Sequence, residues 1–123
     1  VYRWLEFRRV LFRSTKKINF ERRSSVITAD SLIVVEEIAK ILNDNPTFKI
    51  EVAGHTDSKG KESLNKQISQ DRASSVADVL ISLGINKDRV SAVGYGEEFP
   101  IAKDDENGLS EINRRVEFNI LGE

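Results

Sequence analysis

Residues 50–58 read IEVAGHTDS, and the fold follows from how this stretch is built. Apolar side chains occupy every second position from Phe48 to Val52, a period typical of a strand with one buried face. The strand stops at Gly54, and a polar loop of residues 55–61 follows it. The stretch therefore predicts a half-buried strand that ends in a loop of charged and hydrogen-bonding side chains.

A helix is predicted on the N-terminal side of this strand. Apolar residues recur there at three- and four-residue steps from Leu32 to Leu42, and Thr28 or Asp30 can cap the first turn. The pattern ends before residues 43–46, Asn-Asp-Asn-Pro, which favour a turn.

A second helix is predicted over residues 64–83, on the C-terminal side of the strand. Leu64 and Ile68 begin its apolar pattern, which continues to the end of the segment. Ser69 is a candidate break or new cap, and Gly84 is placed to end the helix.

Three further segments are predicted to be strands: residues 17–20, 90–95 and 115–120. The order along the chain is then strand, helix, strand, helix, strand and, after a long loop, a last strand. Because a sheet must bury its apolar face against other elements, this order predicts an α/β sandwich of one sheet and its helices.

The composition limits the classes of function. The chain has 123 residues, 39% hydrophobic and 32% charged, as is typical of a single globular domain. No apolar run approaches the roughly 20 residues that a membrane-spanning helix needs. A net charge of −1 argues against a nucleic-acid backbone as the partner. The lack of cysteine excludes disulfides, thiolate zinc sites and a thiol nucleophile, and it does not select a compartment.

Residues 1–14, VYRWLEFRRVLFRS, differ from the rest of the chain. They hold four arginines, and three of these, Arg8, Arg9 and Arg13, interrupt any apolar stretch that a signal peptide would need. The last four residues back-translate to the end of a common sequencing-library adapter. We therefore expect residues 1–14 to be non-native or artefactual and residues 15–123 to form the domain. The alternative is a genuine linker or strand from an upstream domain.

Two charged residues outline a candidate binding site. Asp57 follows a predicted strand, and strand ends that precede a helix are where open α/β sheets bind ligands. Arg72 lies on the same helical face as Asn65, beside the apolar stripe, where a guanidinium needs an acidic partner. On spacing alone, an internal salt bridge between Asp57 and Arg72 is favoured. The alternative is a zwitterionic ligand, with its ammonium on Asp57 and its carboxylate on Arg72.

The other polar candidates have structural explanations. A metal site would have no nitrogen ligand besides His55, because His55 is the one histidine in the sequence. For a hydrolase, no nucleophile with oxyanion donors can be identified. His55 is therefore interpreted as a structural hydrogen-bonding residue. The glycines beside Tyr95 suit a turn or close packing, and the arginines at 114 and 115 are interpreted as solvated or paired with Glu117.

Four blocks in order carry a family resemblance: IEVAGHTDS (50–58), LNKQISQDRASSV (64–76), GYGE (94–97) with PIA (100–102), and NRRVEF (113–118). Together they resemble the OmpA-like C-terminal domain over residues 16–121. Each block alone is a weak signal, whereas four at matching spacing are specific. The resemblance implies an OmpA-like sandwich with β-α-β-α-β-β order, a mixed sheet, and helices packed on one face.

The resemblance also implies a function. It indicates a non-catalytic periplasmic domain, attached to the outer membrane of a Gram-negative bacterium, that binds peptidoglycan through the diaminopimelate of the stem peptide. No cofactor or metal is implied. In the family an aspartate and an arginine hold the zwitterionic end of that residue. The ligand-binding positions of this sequence are then Asp57, Arg72, Asn65, Thr56, Arg114 and Arg115, with one of the last two expected to line the site.

Several alternatives stay open. The domain could be the wall anchor of a motor stator, a cell-wall hydrolase, or an oligomerisation unit without a wall ligand. The sequence also departs from the family pattern, since Leu109 and Ser110 replace a Gly-Arg pair and Arg22 and Arg23 replace other residue types after the first strand. These departures put the contacts of the late loop and the rim of the site in doubt.

Overall fold

The structure, a computed structural model, describes residues 18–21 and 24–122. Its regular elements are the helices α1 (Ala29–Asp44) and α2 (Glu62–Ser82), the strands β1 (Lys49–His55), β2 (Val90–Gly96) and β3 (Arg115–Gly122), and a short 3-10 helix (Lys87–Arg89). The predicted helices and the last three strands are confirmed. Thr28 occupies the N-cap of α1 without a side-chain capping bond, and α2 runs through Ser69 without a break. The segment 1–14 lies outside the described residues.

The sheet is mixed, with the strand order β2-β1-β3 in the described part of the chain. Strand β1 is parallel to β2 and antiparallel to β3. The C-terminal ends of β1 and β2 and the start of β3 therefore lie at the same edge of the sheet. This edge brings the loop after β1 close to the residues that precede β3.

The predicted first strand is wrong within the described residues; Lys17 lies outside them. Phe20 makes one isolated antiparallel bridge, with Ile27. The backbone turns back on itself instead of joining the sheet, because Glu21 N–H donates to the carbonyl of Val26 and Thr28 N–H donates to the carbonyl of Asn19. Residues 18–21 and 24–28 thus form a short hairpin-like arrangement, here called the N-terminal hairpin.

Both helices pack on one face of the sheet, as the resemblance implies. Ile50 and Val52 of β1 share one buried cluster with Phe118 of β3. The same cluster contains apolar residues of both helices, among them Val35, Ile38 and Leu42 of α1 and Ala73, Val76 and Leu80 of α2. The fold is therefore the predicted α/β sandwich with one helix-covered face.

The buried face of α2 differs from the predicted one. Leu64 and Ile68, predicted to begin the apolar face, are 57% and 43% exposed. The first two turns instead bury Asn65 and Ser69. Small and polar residues are needed there because the helix backbone lies almost on the sheet.

Two glycines make this close approach possible. A Cβ at Gly54 would lie 2.2 Å from the carbonyl oxygen of Ser69, and a Cβ at Gly94 would lie 2.3 Å from the backbone nitrogen of Gln70. The contact is also polar, since Gly94 N–H donates to the Gln70 Oε1 at 2.9 Å and Gly96 N–H donates to the Ser69 Oγ at 2.9 Å. The distance between α2 and the sheet is thus set by residues without side chains.

We expect Gly94→Ala to lower the free energy of unfolding by about 3 kcal/mol or more, because the new methyl group meets backbone that cannot move alone. Ser91→Ala, at an exposed position of the same strand, should change it by less than about 0.5 kcal/mol. Urea titration followed by circular dichroism measures both. A Gly94→Ala protein as stable as the Ser91→Ala protein would contradict the close contact.

Candidate ligand site

Asp57 is a buried carboxylate, 5% exposed. It lies just after β1, at the edge of the sheet where β1 and β2 end and β3 starts. Its Oδ2 accepts a hydrogen bond from Arg114 Nη1 at 2.7 Å and from the backbone N–H of Ser110 at 3.2 Å. Its Oδ1 accepts from the backbone N–H of Lys59 at 3.2 Å. These three donors stabilise a charge that would otherwise be costly to remove from water.

The internal salt bridge between Asp57 and Arg72, which spacing alone favoured, is not formed. Asp57 is paired with Arg114 instead. The reason is tertiary: Arg114 directly precedes β3, and β3 starts at the sheet edge where β1 ends. Sequence spacing along α2 could not reveal this competitor.

The side chains of Thr56 and Asn65 donate hydrogen bonds to the backbone of the loop that carries Asp57. The Thr56 hydroxyl donates to the carbonyl of Asp57 at 2.9 Å. The Asn65 amide donates to the carbonyl of Lys59 at 3.0 Å and to that of Asp57 at 3.3 Å. Neither side chain is among those that line the cavity described below. Their predicted role as ligand groups stays a prediction, and their contacts show how they hold the loop in shape.

The loop between β2 and β3 is organised by Asn113, which is fully buried. Its side-chain oxygen accepts from the backbone N–H groups of Ile101 and Ala102 at 2.8 and 3.0 Å, and its amide donates to Asp104 Oδ1 at 2.8 Å. Asp104 in turn accepts hydrogen bonds from the backbone and hydroxyl of Ser58. These bonds hold the pKa of Asp104 below its ordinary value. The late loop is thereby tied to the loop that carries Asp57.

A cavity of about 200 Å³ opens beside this pair of loops. It lies between the N-terminal hairpin, the facing ends of β1 and β3, and helix α2. Its lining residues are Ile18, Asn19, Phe20, Gly54, His55, Ser69, Arg72, Arg114, Arg115 and Val116. Three predicted site residues, Arg72, Arg114 and Arg115, are thus brought together at one concave surface.

Arg72 is half-buried and has no carboxylate partner among the described residues. Its Cζ lies 4.9 Å from the centre of the Phe20 ring, and its Nε–H donates to the carbonyl of Ser24 at 3.4 Å. Burial, and next the positive charge of Arg114, lower the pKa of Arg72 from its ordinary value. The guanidinium stays cationic in water near neutral pH and is poised for an anion.

Arg115 lines the cavity but is held by other groups. Its Nε donates to Glu117 Oε1 at 2.6 Å, and its Nη2 donates to the carbonyl of Phe99 at 2.9 Å. The pairing with Glu117 confirms the simplest interpretation of this arginine. Arg114 and Arg115 therefore have separate acidic partners, one on each side of the start of β3.

His55 packs on the sheet face that the helices leave uncovered. Its ring stacks on Tyr95 with centroids 5.5 Å apart and meets the edge of Phe99 at 6.4 Å. Both ring nitrogens lack a hydrogen bond within the described residues, and Glu117 Oε2 lies 3.6 Å from Nε2. The interpretation of His55 as a hydrogen-bonding residue is wrong: aromatic packing holds it. Burial, and secondly Arg115, lower the pKa of His55 against the opposing effect of Glu117 and Glu51.

Residues 18–21 and 24–122 contain no cluster of metal-ligating side chains and no helix suited to span a membrane. No three His, Cys, Asp or Glu side chains come together there in a way that could hold a metal ion. Neither described helix combines the length and apolar character that crossing a bilayer requires.

Three residues important for the site were missed by sequence reasoning. Phe20 was assigned to a strand, Asp104 to an unstructured loop, and Asn113 to a family block without a role. A polar residue that is buried inside a loop has no periodic signal. The one available sign was the position of Asn113 next to the arginine pair.

The sequence profile of the OmpA family matches residues 19–114. The chain belongs to the OmpA family. Among curated relatives of this OmpA-family domain, Outer membrane porin F of Pseudomonas fluorescens is 38% identical over 103 residues, which cover 84% of this chain and 32% of that protein. The peptidoglycan-associated lipoprotein of Mesorhizobium japonicum is 32% identical over 106 residues, covering 86% of this chain and 63% of that protein. The chain therefore spans about one third to two thirds of these relatives.

Solved structures show the same OmpA-family fold. The peptidoglycan-associated lipoprotein from Burkholderia pseudomallei superposes with a TM-score of 0.74 at 28% identity, covering 85% of this chain and 90% of that one. The C-terminal domain of Helicobacter pylori MotB superposes with a TM-score of 0.73 at 32% identity, covering 88% of this chain and 85% of that one.

We expect Asn113→Ala to lower the free energy of unfolding by about 3 kcal/mol, because its fully buried side chain bonds the backbone N–H groups of Ile101 and Ala102 and the Asp104 carboxylate. Asn107→Ala, at an exposed position of the same loop, should change it by less than about 0.5 kcal/mol. Thermal unfolding by calorimetry compares the two. Equal stability of both variants would show that Asn113 does not organise the loop.

We expect acid to destabilise the domain through His55. Because its folded pKa lies below the ordinary 6.5, the neutral ring contributes stability that is present above pH 6.5 and lost as the pH falls further. His55→Phe keeps the ring stack without a titrating group. The free energy of unfolding of the wild type should therefore fall more than that of His55→Phe between about pH 7.5 and about pH 5.5. Parallel pH profiles would contradict the burial of a neutral histidine.

Proposed function

We propose that this OmpA-family domain binds peptidoglycan non-covalently through the diaminopimelate of the stem peptide, and so anchors a larger envelope protein to the cell wall. The observation that carries the proposal is an arginine without an acidic partner at a cavity where a second arginine holds a buried carboxylate. Arg72 faces the cavity without an acidic partner among the described residues, and the carboxylate of Asp57 lies on the adjoining loop, bonded to the cavity residue Arg114.

The dimensions suit a small zwitterion. One water occupies roughly 30 Å³ of liquid, so a cavity of about 200 Å³ has room for an amino-acid end group of one carboxylate, one ammonium and the carbon between them. A forked guanidinium such as that of Arg72 matches the carboxylate in shape and charge. The stem-peptide diaminopimelate carries such an end group on its side chain.

Asp57 can accept the ammonium without giving up Arg114. Its Oδ2 is used by Arg114 and Ser110, whereas Oδ1 has one described donor, the backbone N–H of Lys59. A carboxylate oxygen can accept two hydrogen bonds, so Oδ1 retains capacity for a ligand ammonium. In this arrangement Arg114 holds Asp57 in place and balances part of its charge.

Relatives support the wall as the location of the ligand. Peptidoglycan-associated lipoproteins and outer membrane porins are among the proteins that this chain resembles. The corresponding location for this chain is the periplasmic side of the outer membrane. A small polar ligand buries little surface, so a single site binds weakly, and an attached membrane part or many copies would raise the effective concentration.

Catalysis is not required by this arrangement. The described site offers no nucleophile bonded to a general base, and the His55 ring is enclosed by Tyr95 and Phe99 on the far face of the sheet. The likeness to the MotB domain keeps a motor-stator anchor as a second form of the same function. A membrane-spanning helix encoded upstream in the gene would favour the stator form over an outer-membrane protein.

Binding is tested by co-sedimentation of the full chain with purified diaminopimelate-type sacculi. We expect Asp57→Asn and Arg72→Gln each to weaken binding at least about tenfold, because each removes one charged partner of the zwitterion. Asp105→Asn and Lys87→Gln make the same charge changes at exposed positions outside the cavity and should bind like the wild type. Residues 1–14 are present in every variant, so their arginines contribute the same nonspecific background binding to each.

Two results would overturn the proposal. Equal binding by the wild type and by both folded site variants would make Asp57 and Arg72 structural residues. Release of soluble fragments from the sacculi that stops in Asp57→Asn would indicate a hydrolase instead.

A further inference from the structure

Arg72 is oriented by an aromatic ring rather than by an acid. We propose that Phe20 is a positioning residue that holds the Arg72 guanidinium in the orientation needed for a ligand carboxylate. This inference rests on the proposed function, because it concerns the cationic half of the same site. It adds the N-terminal hairpin, of which only the residues up to Phe20 were predicted to form a strand, to the parts that build the site.

The hairpin meets Arg72 at two points. The Phe20 ring lies under the guanidinium, with its centre 4.9 Å from Cζ, and the Ser24 carbonyl accepts the Nε–H bond at 3.4 Å. Phe20 and Arg72 both line the cavity, so the pair forms part of its wall. With Cζ over the ring and Nε engaged, the guanidinium has its Nη groups left to meet a carboxylate.

The hairpin itself is fixed to the domain. Phe20 is bridged to Ile27, and the backbone N–H of Asn19 donates to the Ser31 Oγ of α1 at 2.8 Å. Ile18 and Ile27 are buried in the core cluster. The ring is therefore presented to Arg72 by an anchored backbone.

An aromatic ring can orient the Arg72 guanidinium without neutralising its charge, which a carboxylate could not do. A neighbouring Asp or Glu would orient Arg72 equally well, but it would neutralise the charge and compete with the ligand. A ring attracts the cation through its quadrupole and leaves the hydrogen-bonding edge of the guanidinium available. Positioning is needed because the nearby Arg114 repels Arg72, as the lowered pKa of Arg72 also indicates.

The ring has a second, purely structural contact, since Phe20 also packs against the core. A test must therefore separate loss of folding from loss of positioning. Two probes do so: the stem tripeptide L-Ala-γ-D-Glu-meso-diaminopimelate, and the same tripeptide with lysine, which keeps the side-chain ammonium and the C-terminal carboxylate but lacks the carboxylate at the end of the side chain. A structural defect weakens both, whereas a positioning defect acts on the first alone.

The experiment measures both tripeptides by calorimetric titration of the full chain. We expect Phe20→Leu to bind the diaminopimelate tripeptide roughly tenfold more weakly and the lysine tripeptide unchanged, and Phe20→Tyr to restore binding to within about threefold. Phe20→Leu should have no further effect in the Arg72→Gln background. Val26→Ala, an exposed apolar change in the same hairpin, should match the wild type.

A shape-conserving variant keeps the test valid if Phe20→Leu fails to fold. Trifluorophenylalanine at position 20 has nearly the shape of Phe20 but a weaker quadrupole, so it should lower the affinity for the diaminopimelate tripeptide in the same direction. A ligand-free readout accompanies it: the NMR shift of the Arg72 Nε–H, which the ring current displaces in the wild type and which Phe20→Leu should move.

The outcomes are distinct. If the wild type binds the diaminopimelate tripeptide and Phe20→Leu binds it equally well, or loses both tripeptides alike, the positioning role is overturned while the proposed function stands. If the wild type binds neither tripeptide, the proposed function fails, and the positioning role, which rests on it, fails with it. A Phe20→Leu protein whose Arg72 Nε–H shift equals that of the wild type overturns the positioning role alone.

Discussion

The close contact between α2 and the sheet is the constraint on which the rest of this structure depends. Gly54 and Gly94 let the backbone at Ser69 and Gln70 come within a distance that any Cβ would block. Polar bonds then replace the missing apolar contacts at this point, with Gln70 bonded to β2 through both ends of its amide. Such a contact leaves little freedom in the placement of the helix, because neither backbone can yield without disturbing its own hydrogen bonds.

The cavity is a consequence of that contact. Ser69 touches the end of β1, and Arg72 follows it by about one helical turn, so Arg72 lines the cavity together with the end of β1. The antiparallel β3 delivers Arg114 to the same edge. Because Asp57 is paired with Arg114, Arg72 lines the cavity without a carboxylate partner among the described residues. Under the proposed function, this pairing leaves the Arg72 guanidinium available for a ligand carboxylate.

Polar residues inside loops hold the two halves of the edge together. Asn113 and Asp104 tie the late loop to Ser58, directly after Asp57. The proposed binding residue Asp57 is therefore held in place by the hydrogen bonds of Asn113, Asp104 and Ser58 around it. Polar sites with precise geometry generally have such supporting bonds. The edge of the sheet thus positions the charged side chains, and the hydrogen-bonded loops around it fix their geometry.

The sequence by itself determined both helices and the last three strands, and its ordered motifs indicated the helix-covered face and the family, because periodicity and ordered motifs are local properties that the chain displays directly. It also indicated Asp57 and Arg72 as candidate ligand-binding residues. Only the tertiary structure decided that Arg114 pairs with Asp57, that Phe20 lies under Arg72, and that Leu64 and Ile68 stay exposed. These outcomes depend on which backbones approach each other across many residues of sequence. The close packing at the two glycines and the antiparallel return of β3 settle them, and neither leaves a periodic trace in the chain.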